Sequence, residues 1–478
     1  MSRTVTVATP SGTVLGAVTD GVADFRAVRY ADGDRFAEAR SPARAQGPVT
    51  AFPQRPGALD VLLGPALGEL RQSEDSFFVR IQAPADAHTD PAGLPVLVFV
   101  PGGGFLSGSP HARWFRSPEL VRDGRMVLVT VGYRLGALGA LGPGGDPHGS
   151  ARPFRDLIRA LRWVHGSISA FGGDPESITL AGDSAGAWYA YALSITPALA
   201  GVIRRTVLVS LPRFAPLSGS DHAQRRALFL DAFGAPSELG AAPVGRILDA
   251  QTTAARGYHG AGFPFAPAAC EGLPDWLSDY ATSAPRLHTG GLLLLTTGEE
   301  SAAFLRGAPR QAQDRAWLQR YLGARFEDPD AALASLRERR PGASPYRLAV
   351  DAGTLHQFRA AALEIATAAA VPTRVVRLAV QSPLPDALSP HCFTLPFLFG
   401  GRSGWHDAPM LDGLDHGVFD RTEAVLHRLL LDVVHDRGRS ALAPVYDPGS
   451  PQTLEIDEAG VRAIRPDDIE LGALRLIA

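Results

Sequence analysis

The stretch Ser177-Ile-Thr-Leu-Ala-Gly-Asp-Ser-Ala-Gly-Ala-Trp-Tyr-Ala-Tyr-Ala-Leu-Ser-Ile195 joins a strand, a tight turn and a helix. Its first four residues predict the strand, and Ala187–Ile195 predicts the helix. The turn over 182–186 has the pattern Gly-x-Ser-x-Gly, which in this setting projects a serine hydroxyl from a sharp bend. A side chain at either glycine would collide with neighbouring backbone, and the helix N-terminus favours negative charge at the serine. The stretch therefore predicts Ser184 as a nucleophile, with a glycine-rich turn of no catalytic role as the alternative.

Short apolar runs elsewhere in the chain predict further buried strands. Most consist of Val, Leu and Ile with little alternation, as is typical of a parallel sheet with both faces covered. Helical patterns lie between some of the runs, and in Phe154–Ile168 apolar residues recur at helical spacing. The alternation predicts an α/β fold with a central, twisted, mostly parallel sheet flanked by helices. The predicted strands are Val96–Val100, Val127–Val131, Ile178–Leu180, Val207–Val209, Leu292–Leu295 and Val375–Val380.

The chain has 478 residues, which exceeds the usual size of one domain. It shows no internal repeat, heptad pattern or low-complexity linker that would divide it. Residues 210–290 are rich in Ala, Pro and Gly and have no clear strand pattern, so they predict either a helical cap over the sheet edge or a long excursion between strands. We therefore expect a single domain over 1–478, with 210–290 as a candidate cap region.

The chain contains no lysine, so arginine supplies all 46 of its basic side chains. Arginine stays protonated and forms no Schiff base, which excludes pyridoxal-phosphate enzymes, Schiff-base aldolases, Walker-type phosphate loops and Ser-Lys hydrolases. The formal net charge is −3 and no basic run occurs. The sequence therefore predicts neither nucleic acid nor a membrane surface as a partner. We also expect no cofactor and no metal.

Cys270 and Cys392 are the only cysteines, which leaves no disulfide framework. Residues 1–10 alternate polar and apolar side chains and predict a strand rather than a secretory signal. No apolar run approaches the ~20 residues that span a bilayer. We therefore expect a cytoplasmic protein. The bias towards Arg, Ala, Gly and Pro is typical of a GC-rich bacterial genome.

Three glycines follow the predicted strand that ends at Val100, in the sequence Pro101-Gly-Gly-Gly-Phe105. Glycines at this position let backbone N–H groups face a ligand without obstruction by side chains. An ester hydrolase needs such donors where a carbonyl oxygen becomes an oxyanion. A flexible turn or a phosphate cradle is the alternative, but the loop lacks a Gly-Lys-Ser/Thr ending.

Further motifs occur in a fixed order along the chain. They are Phe25-Arg26…Tyr30-Ala31…Arg35-Phe36, Ser73-Glu-Asp75, Tyr133-Arg-Leu-Gly136, Phe171-Gly-Gly-Asp-Pro175, His391-Cys-Phe-Thr-Leu-Pro-Phe-Leu-Phe-Gly400 and Ala443-Pro-Val-Tyr-Asp447. Together with the glycine loop and the serine turn, they resemble the type B carboxylesterases, the family that includes acetylcholinesterase and bacterial para-nitrobenzyl esterases. The resemblance covers nearly the whole chain.

This resemblance implies an α/β-hydrolase fold and hydrolysis of small carboxylic esters through a Ser-His-Glu triad and an acyl-enzyme. It assigns Ser184 as the nucleophile, Glu300 as the acid and His391 as the base. The implied oxyanion-hole donors are the backbone N–H groups of Gly103, Gly104 and Ala185. Two ion pairs are implied as well, Arg35 with Glu74 and Arg134 with Asp174.

Chain order gives a separate argument for the triad. In this fold the nucleophile, acid and base follow one another along the chain, each near the carboxyl end of a strand. Glu300 follows Leu292–Leu295 and His391 follows Val375–Val380. By position in the chain alone, His406 and His416 also remain candidates for the base. Neighbouring side chains of an extended segment point to opposite faces, so only one of Glu299 and Glu300 can reach His391. Asp386 is the remaining candidate acid.

Several residues depart from the family pattern. Pro101 replaces a histidine, Asp183 a glutamate, Cys392 a glycine and Thr394 a glutamate. Trp188 and Tyr189 stand where small residues are usual, and Trp188 is, with Phe105, a candidate substrate-pocket residue. We interpret Cys392 as a packing residue rather than a second nucleophile.

Other functions remain open from the sequence. The same site could act on an amide or a carbamate, or catalyse an acyl transfer or elimination in biosynthesis. A non-catalytic binding protein, as the neuroligins of this family are, is the alternative of another class. The natural substrate and the oligomeric state, monomer or dimer, do not follow from the sequence.

Overall fold

The computed structural model describes residues 3–142, 144, 147–260, 262–436, 442–467 and 470–471. Over these residues the strands form one large sheet and one small pair, β4 with β5. The strands are β1 (Arg3–Thr9), β2 (Gly12–Thr19), β3 (Val22–Arg29), β4 (Thr50–Ala51), β5 (Arg71–Gln72), β6 (Phe78–Pro84), β7 (Leu94–Val100), β8 (Val127–Val131), β9 (Gly173–Asp183), β10 (Arg205–Val209), β11 (Leu292–Thr297), β12 (Thr373–Leu378), β13 (Thr453–Asp457) and β14 (Gly460–Ile464).

The large sheet has twelve strands in the described part of the chain. Their order is β1-β2-β3-β6-β8-β7-β9-β10-β11-β12-β13-β14. The pairings from β8 across to β13 are parallel, whereas those towards the two edges are antiparallel. The predicted α/β fold with a mostly parallel central sheet is therefore confirmed.

Helices cover both faces of this sheet, because successive residues of a strand point to opposite sides. In β7, Val96 and Val98 face one apolar cluster, whereas Leu97 and Phe99 face another. No helix of the described ranges is long and apolar enough to cross a membrane. The helices are α1 (Asp60–Leu63), α2 (Pro118–Asp123), α3 (Gly136–Ala140), α4 (Pro147–Ser150), α5 (Arg152–Ser167), α6 (Ala185–Ser194), α7 (Gly219–Phe233), α8 (Val244–Gly257), α9 (Tyr280–Ser283), α10 (Ala302–Leu305), α11 (Arg315–Gly323), α12 (Pro329–Arg339), α13 (Pro345–Thr354), α14 (Ala360–Ala368), α15 (Leu395–Phe399) and α16 (His416–Val434).

All six predicted strands occur, although most of their ends differ from the prediction. Val127–Val131 is β8 itself, whereas Ile178–Leu180 is only the middle of the longer β9. The predicted helix Phe154–Ile168 is α5, which begins at Arg152 because a proline fits the first turn of a helix. The predicted N-terminal strand is β1, and residues 1 and 2 lie outside the described part of the chain.

Residues 210–290 add no strand to the sheet among the residues described there, and most of their regular structure is helical. The Ser218 hydroxyl caps α7 by accepting the backbone N–H of Asp221 at 3.1 Å. Gly234, with a φ of 78°, directly follows α7 and caps its C-terminus. Phe229 and Phe233 of α7 belong to one apolar cluster with residues of α8. The region is therefore a helical excursion with its own small core.

Of the two ion pairs that the resemblance implied, one is confirmed and one is wrong. Arg35 contacts Glu74, with Nη2 2.5 Å from a carboxylate oxygen. Arg134 instead forms a two-point contact with Asp156 of α5, at 2.8 and 2.7 Å. Asp174 accepts the backbone N–H of Glu176 at 2.9 Å. Arg134 pairs with Asp156 rather than Asp174 because both Arg134 and Asp156 are buried. A buried guanidinium is costly unless a carboxylate compensates its charge.

Candidate active site

Four neighbouring parallel strands, β9 to β12, end at the same edge of the sheet, and the candidate catalytic residues lie just beyond those ends. Ser184 directly follows β9, and Glu300 comes three residues after β11. His391 lies in the base loop, which we define as residues 379–394 between β12 and α15. In open α/β sheets this edge is where ligands bind.

The serine turn has the strained backbone that its sequence predicts. Ser184 has a φ of 51°, in the left-handed region that residues with a side chain seldom adopt. A Cβ atom on Gly182 would lie 2.4 Å from the Gly186 carbonyl oxygen, and one on Gly186 would lie 2.0 Å from that of Val100. The steric requirement for both glycines is therefore confirmed. Helix α6 begins at Ala185, so its N-terminus is adjacent to the serine.

The structure brings Ser184, His391 and Glu300 into one hydrogen-bonded series. The Nε2 atom of His391 lies 2.8 Å from the Ser184 Oγ. On the other side of the ring, Nδ1 lies 2.6 Å from Glu300 Oε2. All three side chains are buried, and Glu300 has no exposed surface. Such a series can take a proton from the serine hydroxyl and stabilise the resulting imidazolium.

The second oxygen of Glu300 is also bound. Its Oε1 accepts the Ser210 hydroxyl at 2.7 Å and the backbone N–H of Thr297 at 2.8 Å. The backbone N–H of His391 donates to the Glu300 carbonyl at 3.2 Å, which ties the two loops together. Sequence reasoning missed Ser210. The signal was its position directly after the predicted strand Val207–Val209, at the carboxyl end where site residues collect.

The other candidate acids and bases lie elsewhere. Glu299 contacts Arg347 at 2.5 Å, and Asp386 contacts Arg310 at 2.7 Å. His406 and His416 are both exposed. Among the described residues, no group of His, Cys, Asp and Glu side chains could hold a metal ion.

Two aromatic rings flank the imidazole of His391. The ring centroid of Phe304 lies 5.2 Å from that of His391, and the centroid of Phe358 lies 4.9 Å away. Phe358 is buried and belongs to a π-helical turn, Leu355–Arg359, whereas Phe304 is half-exposed. Neither ring was expected from the sequence. Both rings therefore pack against the imidazole of the base.

The glycine loop (residues 101–105) lies beside the serine turn. Within the described residues, no acceptor takes a hydrogen bond from the backbone N–H of Gly103, Gly104 or Ala185. The Gly103 carbonyl accepts the N–H groups of Leu106 and Ser107, at 3.0 and 3.1 Å, which closes the loop. These three N–H groups are therefore free to donate to a bound oxygen.

Asp183 connects the serine turn to the glycine loop. Its Oδ1 accepts the backbone N–H of Gly102 at 2.8 Å. Burial raises the pKa of the Asp183 carboxyl to about 6, against the lowering effect of this hydrogen bond and of the nearby His391. The site therefore contains, besides Glu300, a buried carboxyl group whose pKa is raised well above its ordinary value.

A cavity of about 440 Å³ opens beside Ser184. It lies between the glycine loop, the segment 55–66 and one face of α8, which contributes Gln251, Thr252, Ala255 and Arg256. The volume of this cavity and its apolar walls are typical of a binding site for a small molecule. The segment 55–66 carried no sequence signal for this role. The apolar lining of the cavity includes Leu63, Ala66, Trp114, Phe115, Phe263 and Leu395.

The candidate pocket residues Phe105 and Trp188 are placed behind this cavity rather than on its surface. Both are buried, and their ring centroids lie 5.7 Å apart in an edge-to-face arrangement. The Trp188 indole N–H donates to the Phe214 carbonyl at 3.0 Å. Phe105 contacts Phe263, which does line the cavity, with ring centroids 6.0 Å apart. The two rings therefore support the cavity wall indirectly.

Known proteins resemble this chain in sequence and in fold. A family model described as the carboxylesterase family matches residues 3–233. A probable N-octanoylanthranilate hydrolase of Rhodococcus erythropolis is 32% identical over 93% of this chain and 96% of its own, and the phenmedipham hydrolase of Pseudarthrobacter oxydans is 28% identical over 98% of both. A solved PNB esterase has the same fold, with a TM-score of 0.81 at 24% identity over 98% of this chain and 99% of its own. The chain therefore belongs to the carboxylesterase family and is a serine carboxylesterase.

Proposed function

We propose that the chain hydrolyses small carboxylic esters with Ser184 as nucleophile, His391 as general base and Glu300 as the acid that orients the base. The main support is the hydrogen-bonded series from Ser184 Oγ through both nitrogens of His391 to Glu300, at 2.8 and 2.6 Å. The same geometry is what the triad chemistry requires, since base and nucleophile must lie within hydrogen-bonding reach.

In the first half of the reaction, His391 takes the Ser184 proton as Oγ attacks the ester carbonyl. Glu300 accepts the Nδ1–H and stabilises the imidazolium, while Ser210 and Thr297 hold the carboxylate in position. The imidazolium then protonates the leaving alcohol, and an acyl-enzyme on Ser184 remains. Water, deprotonated by His391, attacks the acyl carbonyl in the second half and releases the acid.

The developing oxyanion is stabilised by the N–H groups of Gly103, Gly104 and Ala185. Their lack of an acceptor within the described residues supports this role. Donors that are already oriented need no rearrangement as charge develops, which is why such groups lower the barrier.

The volume and the apolar lining of the cavity favour an apolar substrate of small to moderate size. We also propose that residues 210–290 act as a cap on one domain spanning 1–478. The support is that α8 covers the cavity with four lining residues, while α7 packs behind it. Gln251 anchors this arrangement, because its Oε1 accepts the backbone N–H of Ala137 at 2.7 Å.

Amide hydrolysis on the same site is the second candidate. One full-length relative is named for N-octanoylanthranilate, whose name places the acyl group on nitrogen. Arg256 lines the cavity and forms no ion pair with any described residue, so a cation is available there to an anionic part of a substrate. Rates on 4-nitrophenyl octanoate and on N-octanoyl-4-nitroaniline would separate the two candidates, because the acyl group is identical.

The triad is tested by Ser184→Ala. We expect kcat for 4-nitrophenyl butyrate to fall by roughly 10⁴-fold or more, because the nucleophile is removed. A fluorophosphonate probe should label the wild-type protein at Ser184 and leave the variant unlabelled. His391→Ala should lose activity to a similar extent, whereas the matched variant His406→Ala should retain it. Activity that survives in Ser184→Ala would refute the proposal.

A further inference from the structure

The Asp183 carboxylate is buried and has no ion-pair partner among the described residues. One oxygen, Oδ1, accepts Gly102 N–H of the glycine loop at 2.8 Å. The other, Oδ2, lies 3.6 Å from the Sγ of Cys392 in the base loop. A single carboxylate thus contacts the serine turn, the loop of the oxyanion donors and the loop of the base.

Cys392 has a backbone conformation that is energetically unfavourable for a residue with a side chain. Its φ is 66°, in the left-handed region where glycine is favoured. Cys392 directly follows the base in the chain, so a contact made by its side chain bears on the position of His391. Thr394 on the same loop provides a contrast, because its buried hydroxyl has no hydrogen-bond partner among the residues that the structure describes.

The thiol of Cys392 is a donor and not a nucleophile. Burial, with the negative charges of Asp183 and Glu300 nearby, raises its pKa well above the ordinary value. It therefore keeps its proton at neutral pH, and the nearest acceptor for that proton is Asp183 Oδ2. An S–H donor is weak, but a carboxylate is the acceptor that strengthens it most.

We propose that Cys392 and Asp183 form a positioning pair that holds the base loop and the glycine loop in register for catalysis. The thiol donates to one carboxylate oxygen, and the other oxygen fixes Gly102 beside the oxyanion donors. This inference rests on the proposed triad, because the pair acts through the positions of His391 and the glycine loop.

The ionised form of Asp183 is the form that accepts both hydrogen bonds. The titratable groups that face it are His391 and Cys392 from the base loop and Tyr133 from the segment after β8, whose hydroxyl donates to Pro101 at 2.7 Å. Loss of the thiol donor raises the pKa of Asp183 further and moves the acid limb of the activity profile to higher pH.

The test compares kcat and KM over a pH range for Cys392→Ala and Cys392→Gly, with Thr394→Val as the control on the same loop. We expect kcat to fall roughly tenfold in both cysteine variants with KM little changed, since misplacing a catalytic group by 1 Å can cost about 100-fold. Glycine relieves the backbone and still removes the donor, so it should not restore activity. Thr394→Val should match the wild type.

A double-mutant cycle separates positioning from packing. In an Asp183→Asn background, Cys392→Ala should cause no further loss of kcat and no further shift of the acid limb, because the acceptor charge is already gone. Additive losses, or wild-type kcat and pH profile in both cysteine variants, would overturn the pair. Fluorophosphonate labelling of wild-type Ser184 is measured first, so that failure of the triad and failure of the pair give different results.

Discussion

Asp183 shows how one residue beside the nucleophile links activity to stability. Its carboxyl has a pKa of about 6 in the folded protein, raised from its ordinary value of 3.8 mainly by burial. The folded chain therefore holds a proton that the unfolded chain releases between these pH values. Stability falls as the pH rises through that window, and the full penalty is present above pH 6.

The corresponding prediction concerns Asp183→Asn. Asparagine carries no charge, so we expect the variant to be more stable than the wild type at pH 8 by up to about 3 kcal/mol, because one pKa unit corresponds to about 1.4 kcal/mol. The difference should be much smaller at pH 4, where folded wild-type Asp183 is protonated, and should disappear below about pH 3, where Asp183 is protonated in both states. Urea unfolding at pH 8 and pH 4 measures this. A difference that is the same at both pH values would contradict the assigned pKa.

At the scale of elements, the contact between Arg134 and Asp156 joins the segment after β8 to helix α5. Both side chains are buried, at 5% and 1% exposure, and the guanidinium meets the carboxylate at two points. The backbone N–H of Arg134 also reaches Asp156 at 3.3 Å. An ion pair this deep is costly to break because the remaining charge has no water to solvate it.

We therefore expect Asp156→Asn to reduce the free energy of unfolding by about 3–5 kcal/mol, the usual effect of removing one partner of a buried pair. The control is Asp34→Asn, because Asp34 pairs with Arg40 at the surface and should contribute nothing measurable. Chemical denaturation of the three proteins provides the comparison. Equal stability of Asp156→Asn and wild type would show that the pair is not structural. Asp174→Asn should behave like the surface control.

At the scale of the whole molecule, Glu470 connects the C-terminal part of the chain to the sheet. Its Oε1 accepts from Arg359 at 3.0 Å and from Arg377 of β12 at 3.1 Å. Burial alone would raise the pKa of Glu470, but the two guanidinium groups outweigh it and lower the pKa to about 2. The carboxylate is therefore charged in the folded protein at neutral pH.

Glu470→Gln should lower the free energy of unfolding at pH 7 by about 3 kcal/mol, the equivalent of a pKa shift of about two and a half units. The folded pKa lies below the ordinary 4.5, so this stability is fully present above pH 4.5 and is lost as the pH falls towards 2. Unfolding measured at pH 7 and pH 3 should thus show a smaller difference at pH 3. Glu238→Gln, in an exposed pair with Arg246, is the matched control. A pH-independent difference would argue against the salt bridge.

Much of the fold followed from local sequence. The runs in β7, β8 and β11 are apolar enough to read as buried strands, and the order of strands and helices along the chain predicted a parallel sheet. The edge strands β2 and β14 were missed, since half-exposed antiparallel strands have weaker patterns, whereas β1 was predicted. The more buried β3 and β13 were missed as well. Strand ends also differed, because pairing with a neighbour decides where a strand stops.

Ser184, Glu300 and His391 could be named because each depends on chain order and on a motif that stays contiguous in sequence. The steric requirement for glycine at 182 and 186 is local to one turn, so it can be predicted from the sequence. Only the tertiary structure decided that Arg134 meets Asp156, that Ser210 holds Glu300, that Cys392 meets Asp183, and that segment 55–66 faces α8 across the cavity. These contacts join residues far apart along the chain, and their partners are selected by how the elements pack and by which buried polar groups must find one another.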